Sequence, residues 1–205
     1  MSTKPWVHLQ IDHASGDYVA QWNQALESVP EQPGVYAWRL RFGVGLGEMM
    51  DCPSFYKALD AELTLPTGGL PEVAVRPSFR HGPARIGGGS LSESKQAFLR
   101  NRFGAPRSLQ YVARFVGELD RFAPPIYVGS SLKLRTRLKE HVAGGTEFAP
   151  YMRDVLGRQL TQVGLSYWVI PRELAHPPAD AETLVKSLEM IAQIFLAPHA
   201  VKSQG

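Results

Sequence analysis

The segment that most constrains the fold is a short strand-like run ending in glycine and two serines, residues 126–131, Ile-Tyr-Val-Gly-Ser-Ser. Its β-branched and aromatic residues predict a strand, and the glycine and serines predict a turn into a helix. On that helix Arg137 and His141 are four residues apart and share a face, while Leu134 and Leu138 form a separate apolar stripe. Strand, turn and helix thus gather a phenol, a guanidinium and an imidazole, a set suited to phosphate chemistry.

The same stretch also has an ordinary structural interpretation. Tyr127 at a strand end is compatible with an amphipathic core residue, and Arg137 is compatible with the solvated face of a helix. On these residues alone a phosphate site and a purely structural element both remain open, and other segments of the chain bear on the choice.

Two further segments contain candidate site residues. Residues 33–38, Pro-Gly-Val-Tyr-Ala-Trp, predict the start of another strand with Tyr36 directly after Gly-Val. Residues 180–196 predict a helix with Asp180 as its N-cap. Glu189 lies at the edge of the apolar stripe of this helix, which suits a carboxylate that faces a cleft; a solvated surface glutamate is the alternative.

With Gly-Val-Tyr, Tyr-Val-Gly, the Arg137/His141 helix and Glu189 in this order, the chain resembles the GIY-YIG endonuclease family. The sequence Tyr-Val-Gly-Ser-Ser and its spacing to Arg137 and His141 are similar to those of the phage homing-endonuclease branch. Glu189 and Pro198, nine residues apart, resemble the family's glutamate and proline. The resemblance covers residues 33–38 and 125–202, and the chain is closest in size to the family's small self-contained restriction enzymes.

The chain departs from the family pattern at two places. The two tyrosine motifs usually lie about a hairpin apart, whereas here a long insertion separates Tyr36 from Tyr127. The family also tends to carry an asparagine three residues after the proline, and this chain has Val201 there.

The resemblance implies roles for five catalytic residues. Tyr127 would act as general base toward water, and His141 would accept its proton or hydrogen-bond to it. Arg137 would pair with the scissile phosphate through its planar fork, and Tyr36 would brace the site by hydrogen bonding. Glu189 would hold a divalent cation, Mg²⁺ or Mn²⁺.

The expected fold is α/β, a small three-stranded sheet flanked by helices, with a large mostly helical and loop insertion between the first two core strands. The 205 residues predict a single nuclease-like domain, 1–205, in which residues 39–124 form the insertion. Within the insertion, the patterns predict a helix over 54–63, a helix opened by a Ser90–Glu93 capping box, and a further helix capped by Ser108.

Cysteine content and hydropathy exclude several classes of protein. A single cysteine, Cys52, rules out an intramolecular disulfide and a cysteine-based zinc site. No apolar run approaches a membrane span, and no apolar signal region follows residues 1–6. We therefore expect a cytoplasmic protein without membrane contact.

Positive charge is concentrated in one part of the chain. Residues 73–139 hold 13 Lys/Arg against 3 Asp/Glu, although the whole chain has a net charge of only +3. Such clustering predicts a polyanionic partner, here double-stranded DNA, while solvated faces of arginine-rich helices are the alternative. The candidate nucleic-acid-binding residues are Arg76, Arg80, Arg85, Arg100, Arg102, Arg107, Ser130, Lys133 and Arg135. Arg114 and His81 belong to the same basic insertion, and a palindromic target would require a homodimer on DNA.

Two functions follow from these observations. The first is a metal-dependent DNA endonuclease of restriction or defence type, with the insertion supplying recognition. The second is a catalytically weakened nucleic-acid-binding module on a nuclease fold.

Overall fold

A computed structural model describes residues 6–11, 16–63, 92–119, 125–174 and 178–196. They fall into two compact units, one drawn from residues 1–41 and 122–205 and the other from residues 42–121. We call the first the sheet unit and the second the inserted unit. The inserted unit lies within the predicted insertion 39–124.

The sheet unit is built on four antiparallel strands. They are β1 (Val7–Gln10), β2 (Gly34–Leu40), β3 (Pro125–Ser131) and β4 (Val163–Val169), in the order β1-β4-β2-β3. The mixed α/β class is confirmed, but the prediction of three strands is wrong. The fourth strand, β1, pairs with β4, and its Val7 and Leu9 pack against the core while His8 and Gln10 are exposed.

Helices cover both faces of the sheet. One face carries α1 (Tyr18–Leu26), α5 (Leu134–Val142) and α6 (Phe148–Pro150), which continues as a π-helical turn over Tyr151–Val155. The other face carries α7 (Pro178–Leu196). This helix begins two residues before Asp180, so Asp180 lies in the first turn and the prediction that it caps the helix is wrong.

Strand alternation separates the two cores of the sheet unit. Tyr36 and Trp38 of β2 point toward α1, α5 and α6, where Trp22 and Phe148 complete the larger core. Residues 35 and 37 of β2 and Val128 of β3 point the other way and pack against α7. Because opposed residues of an antiparallel pair share a face, Tyr127 and Gly129 lie on the α5 face and Ser130 lies on the α7 face.

The inserted unit has three described helices, α2 (Cys52–Leu63), α3 (Glu93–Arg102) and α4 (Pro106–Glu118). Its described core consists of Leu46, Phe55, Tyr56, Leu59, Leu109, Ala113 and Val116. Helix α4 begins at Pro106. Proline is favoured in the first turn because an N–H group at that position would have no partner within the helix. The prediction that Ser108 caps this helix is therefore wrong, since Ser108 lies inside it.

Candidate active site

Tyr36 is the innermost residue of the candidate site. It lies in the middle of β2, opposite Gly129 of β3 and Tyr167 of β4, and only 1% of its surface is exposed. A Cβ atom at position 129 would lie 2.5 Å from the Tyr36 hydroxyl oxygen and 2.9 Å from the Tyr127 ring. Glycine at 129 therefore gives the two tyrosine rings the room to stack, with centroids 6.2 Å apart.

His141 of α5 is hydrogen-bonded on both ring nitrogens. Nε2 lies 2.6 Å from the Tyr36 hydroxyl, and Nδ1 lies 2.6 Å from Thr146 Oγ1, which also accepts the Phe148 N–H at 3.3 Å. The rings of Tyr127 and Phe148 contact the imidazole edge-on, with centroids 5.4 and 5.3 Å away. His141 is thus fixed in place. It contacts the Tyr127 ring but hydrogen-bonds Tyr36, so the expected hydrogen bond to Tyr127 is replaced by one to the other tyrosine.

Burial sets the protonation of this pair. It lowers the pKa of His141 to about 3, with the Arg137 guanidinium adding to the effect, so the imidazole is neutral near pH 7. Burial and the neighbouring Tyr127 phenol raise the pKa of Tyr36 above its ordinary value, while Arg137 opposes the rise. Near pH 7, therefore, the Tyr36 phenol is protonated and the His141 imidazole to which it is hydrogen-bonded is neutral.

We expect the stability of the sheet unit to fall in mild acid because of His141. Its pKa is lowered in the folded state, so the stabilisation is present above about pH 6.5 and is lost as the pH falls toward 3. The loss should approach about 1.4 kcal/mol for each pH unit. Urea unfolding between pH 7 and 5, above the range where carboxylates titrate, measures it. His141→Gln should remove this pH dependence, whereas Leu138→Ala, destabilising by a cavity alone, should keep it. An unchanged pH dependence in His141→Gln would contradict the assignment.

Arg137 lies beside both tyrosines and remains accessible. Its guanidinium donates to Glu140 Oε2 at 2.8 Å, and 35% of its side chain is exposed. Glu140 makes the largest contribution to raising the pKa of Arg137, and the phenols of Tyr36 and Tyr127 add to it. The side chain therefore lies between a solvent-facing carboxylate and the two phenols, of which Tyr36 is buried and Tyr127 is partly buried.

Glu189 approaches from the other face of the sheet. Its Oε2 accepts the Ser130 hydroxyl at 2.5 Å and the Lys186 ammonium at 3.3 Å, and its Oε1 accepts Gln193 Nε2 at 3.2 Å. Only 13% of the side chain is exposed, although Lys186 beside it is mostly exposed. The structure thus gathers Tyr36, Tyr127, Arg137 and His141 on the α5 face and places Glu189 on the α7 face, across the edge strand β3.

Glu189 supplies a single carboxylate, whose oxygens accept hydrogen bonds from Ser130, Lys186 and Gln193. A carboxylate has about four lone-pair positions, and three are occupied here, one of them by Lys186, whose side chain is mostly exposed. Mg²⁺ is commonly held by one or two carboxylates, with water and substrate phosphate completing its coordination. Within the described ranges, no group of three or more His, Cys, Asp or Glu side chains forms a metal-binding cluster.

The candidate nucleic-acid-binding residues of the sheet unit differ in their environments. Ser130 supports Glu189, and Lys133 is exposed at the start of α5. Arg135 donates to the carbonyl oxygen of Val29 at 2.6 Å and pairs with Glu27 at 3.6 Å. Arg135 is thus engaged in fixing α5 to the segment after α1, a contact that sequence periodicity does not reveal.

The remaining candidates belong to the insertion or to the end of the chain. Arg100, Arg102 and Arg107 are exposed on α3 and α4. Other sequence predictions lie outside the described residues: Arg76, Arg80, His81, Arg85, Pro198 and Val201.

Several residues of the site were missed by sequence reasoning. Thr146 orients His141, Glu140 holds Arg137, and Gln193 and Lys186 flank Glu189. For Lys186 and Gln193 the sequence does contain an indication. They lie one turn before and one turn after position 189, on the same helix face.

Comparison with known proteins yields no match to this chain among family models, curated proteins or solved structures. In the described part of the chain, none of the helices combines the length and apolar character needed to cross a membrane.

Proposed function

We propose that this protein is a metal-dependent DNA endonuclease of GIY-YIG type that hydrolyses phosphodiester bonds in restriction or defence. The observation that carries the proposal is the cluster of Tyr36, Tyr127, Arg137 and His141 on one side of an edge strand, with Glu189 on the other. An edge strand presents a rim that a DNA backbone can approach, so a phosphate there has access to side chains from both faces.

Arg137 would bind the scissile phosphate and stabilise the charge that develops on it. Its guanidinium can exchange Glu140 for the phosphate without leaving its position beside the phenols. The same guanidinium opposes the rise in the pKa of Tyr36 that burial causes.

Tyr127 is better placed than Tyr36 to act as the base. Tyr36 is buried and hydrogen-bonded to His141, whereas Tyr127 is only partly buried and lies on the edge strand. His141, neutral and poorly basic in its buried position, would act as a positioning residue: it holds Tyr36, and Tyr36 stacks on Tyr127. This assigns His141 the hydrogen-bonding role and not that of a proton acceptor.

Glu189 would hold the divalent cation, Mg²⁺ or Mn²⁺, with Ser130 and Gln193 orienting the carboxylate. When bound, the metal supplies charge neutralisation at the phosphate and the leaving oxygen.

The proposal is tested by incubating supercoiled plasmid with the full chain, with and without Mg²⁺. We expect nicked or linear DNA only with the metal, and none from Glu189→Gln, which keeps the size and hydrogen-bonding ability of the side chain but not its charge. Glu173→Gln is the matched control, because Glu173 is an exposed carboxylate in the turn after β4. If the wild type binds DNA but does not cut it under any divalent metal, the chain is the nucleic-acid-binding module instead.

A further inference from the structure

Helix α4 of the inserted unit has two faces of opposite character. Leu109, Ala113 and Val116 are buried in the core of that unit. Exposed residues recur at the complementary three- and four-residue spacing and share one side of the helix. We call this side the α4 outer face; it comprises Arg107, Gln110, Tyr111, Arg114, Phe115 and Glu118.

Two aromatic rings on the α4 outer face are largely uncovered. Tyr111 is 68% exposed and Phe115 is 59% exposed, and they are one helical turn apart. Adjacent exposed aromatic side chains are unusual on a monomeric surface and indicate a binding site. They call for a partner that offers apolar groups at the same spacing.

The charges around these rings decide which partner fits. Residues 92–119 hold 5 Lys/Arg and 2 Asp/Glu, and Arg107 and Arg114 flank Tyr111 on the same face. A second copy docked by a two-fold axis would bring four arginines and two glutamates into one interface, and removing this excess of positive charge from water is costly. DNA offers what both kinds of side chain need: phosphates and guanine edges for arginine, and thymine methyl groups for the rings.

Contacts within the inserted unit fix its three described helices to one another. Tyr56 of α2 donates to the carbonyl oxygen of Leu99 in α3 at 3.1 Å, and α4 is anchored by its three buried residues. A three-residue turn, 103–105, joins α3 to α4, and a Cβ atom on Gly104 would lie only 2.6 Å from the Arg100 carbonyl oxygen. A short turn of this kind, with glycine where a side chain does not fit, is found in helix-turn-helix elements.

We propose that α4 is the DNA-reading helix of this nuclease and enters the major groove with the α4 outer face toward the bases. The proposal rests on the proposed function, since it names how that enzyme selects its DNA. Thirteen residues of helix span about 20 Å, and the major groove, about 12 Å wide, admits one helix. Arg107 and Arg114 would contact guanine edges, Gln110 an adenine, and the two rings thymine methyl groups or sugars.

The experiment separates reading from cutting. The Glu189→Gln chain is used in EDTA to select bound duplexes from a pool of random sequences, and the same selection is repeated with Arg107→Ala, Gln110→Ala or Arg114→Ala added. We expect the parent to enrich a defined sequence and each variant to lose preference at one or two positions, by about tenfold or more in affinity. Lys57→Ala on α2 is the matched control: it also removes one exposed positive charge from the inserted unit, but from another helix. It should weaken binding to all duplexes alike and keep the selected sequence.

Three further outcomes are distinguished: two overturn the proposal, and one separates it from the proposed nuclease activity. If the α4 variants enrich the same sequence with undiminished affinity, α4 does not read DNA and the proposal is overturned. It is equally overturned if Tyr111→Ala and Phe115→Ala convert a dimer to a monomer in sedimentation while sequence preference is kept, because the face is then a self-association surface. If sequence selection depends on α4 but the wild type never cuts DNA, the proposed nuclease activity fails and this inference stands.

Discussion

Arg137→Ala is expected to reduce the rate of DNA cleavage by roughly 100- to 1,000-fold. The guanidinium is the only cation that the structure places beside both phenols of the site within the described residues. Its loss removes a bidentate partner of the phosphate. Arg137→Lys should recover only part of the activity, because an ammonium lacks the planar fork. Single-turnover cleavage at saturating DNA measures the effect on the chemical step.

The matched control for this substitution is Lys139→Ala. Lys139 lies on the same helix but is bound to Glu27 through a 2.5 Å contact on the sheet unit's own surface. An exposed pair of this kind contributes little to stability, so this variant should cleave at nearly the parental rate. Equal losses in the two variants would show that Arg137 contributes only general positive charge, and the assignment of a phosphate contact would then fail.

Gly34→Ala is expected to lower the free energy of unfolding of the sheet unit by roughly 3 kcal/mol. Gly34 is buried at the start of β2, where it pairs with both β3 and β4. A Cβ atom there would overlap the Trp168 carbonyl oxygen and a methyl group of Leu134. The methyl group can rotate away, but the carbonyl belongs to the backbone of the neighbouring strand, so the sheet or α5 must move.

Urea denaturation of Gly34→Ala beside Gly16→Ala measures this cost. Gly16 precedes α1, and a Cβ atom there meets nothing within 4 Å, so its replacement should change stability by only a few tenths of a kcal/mol. The loss in Gly34→Ala should be accompanied by weaker DNA cleavage, since α5 carries Arg137 and His141. A Gly34→Ala protein as stable as Gly16→Ala would mean that strand and helix are packed less closely here.

The parts of the site that the sequence predicted are those that depend on local spacing. Tyr127, Gly129 and the helix bearing Arg137 and His141 are neighbours in the chain, so strand and helix periodicity were enough to place them together. The pairing of His141 with Tyr36 joins residues 105 positions apart, and only sheet register brings them together. Local periodicity therefore does not predict that His141 is hydrogen-bonded to Tyr36.

The fourth strand was missed for a related reason. Strand β1 is only four residues long, and such a segment gains its stability from pairing rather than from its own propensity. Its partner β4 lies far along the chain, and the His8 ring accordingly meets Ser166 Oγ at 2.8 Å. Helices α4 and α7 begin two residues earlier than predicted, because each starts at a proline, at 106 and 178, and not at the expected cap residues Ser108 and Asp180.

The register between β2 and β3 has a consequence for how the proposed nuclease could change its target. Arg39 and Pro125 are paired partners on adjacent strands, although more than eighty residues of sequence separate them. To the sheet, the whole inserted unit is thus equivalent to the loop of a hairpin, and the ends it must join are already held side by side. The entropic cost of connecting these two positions grows only slowly with the length of the segment, so the proposed nuclease would acquire a new binding specificity by exchange of one segment while its candidate catalytic residues keep their places.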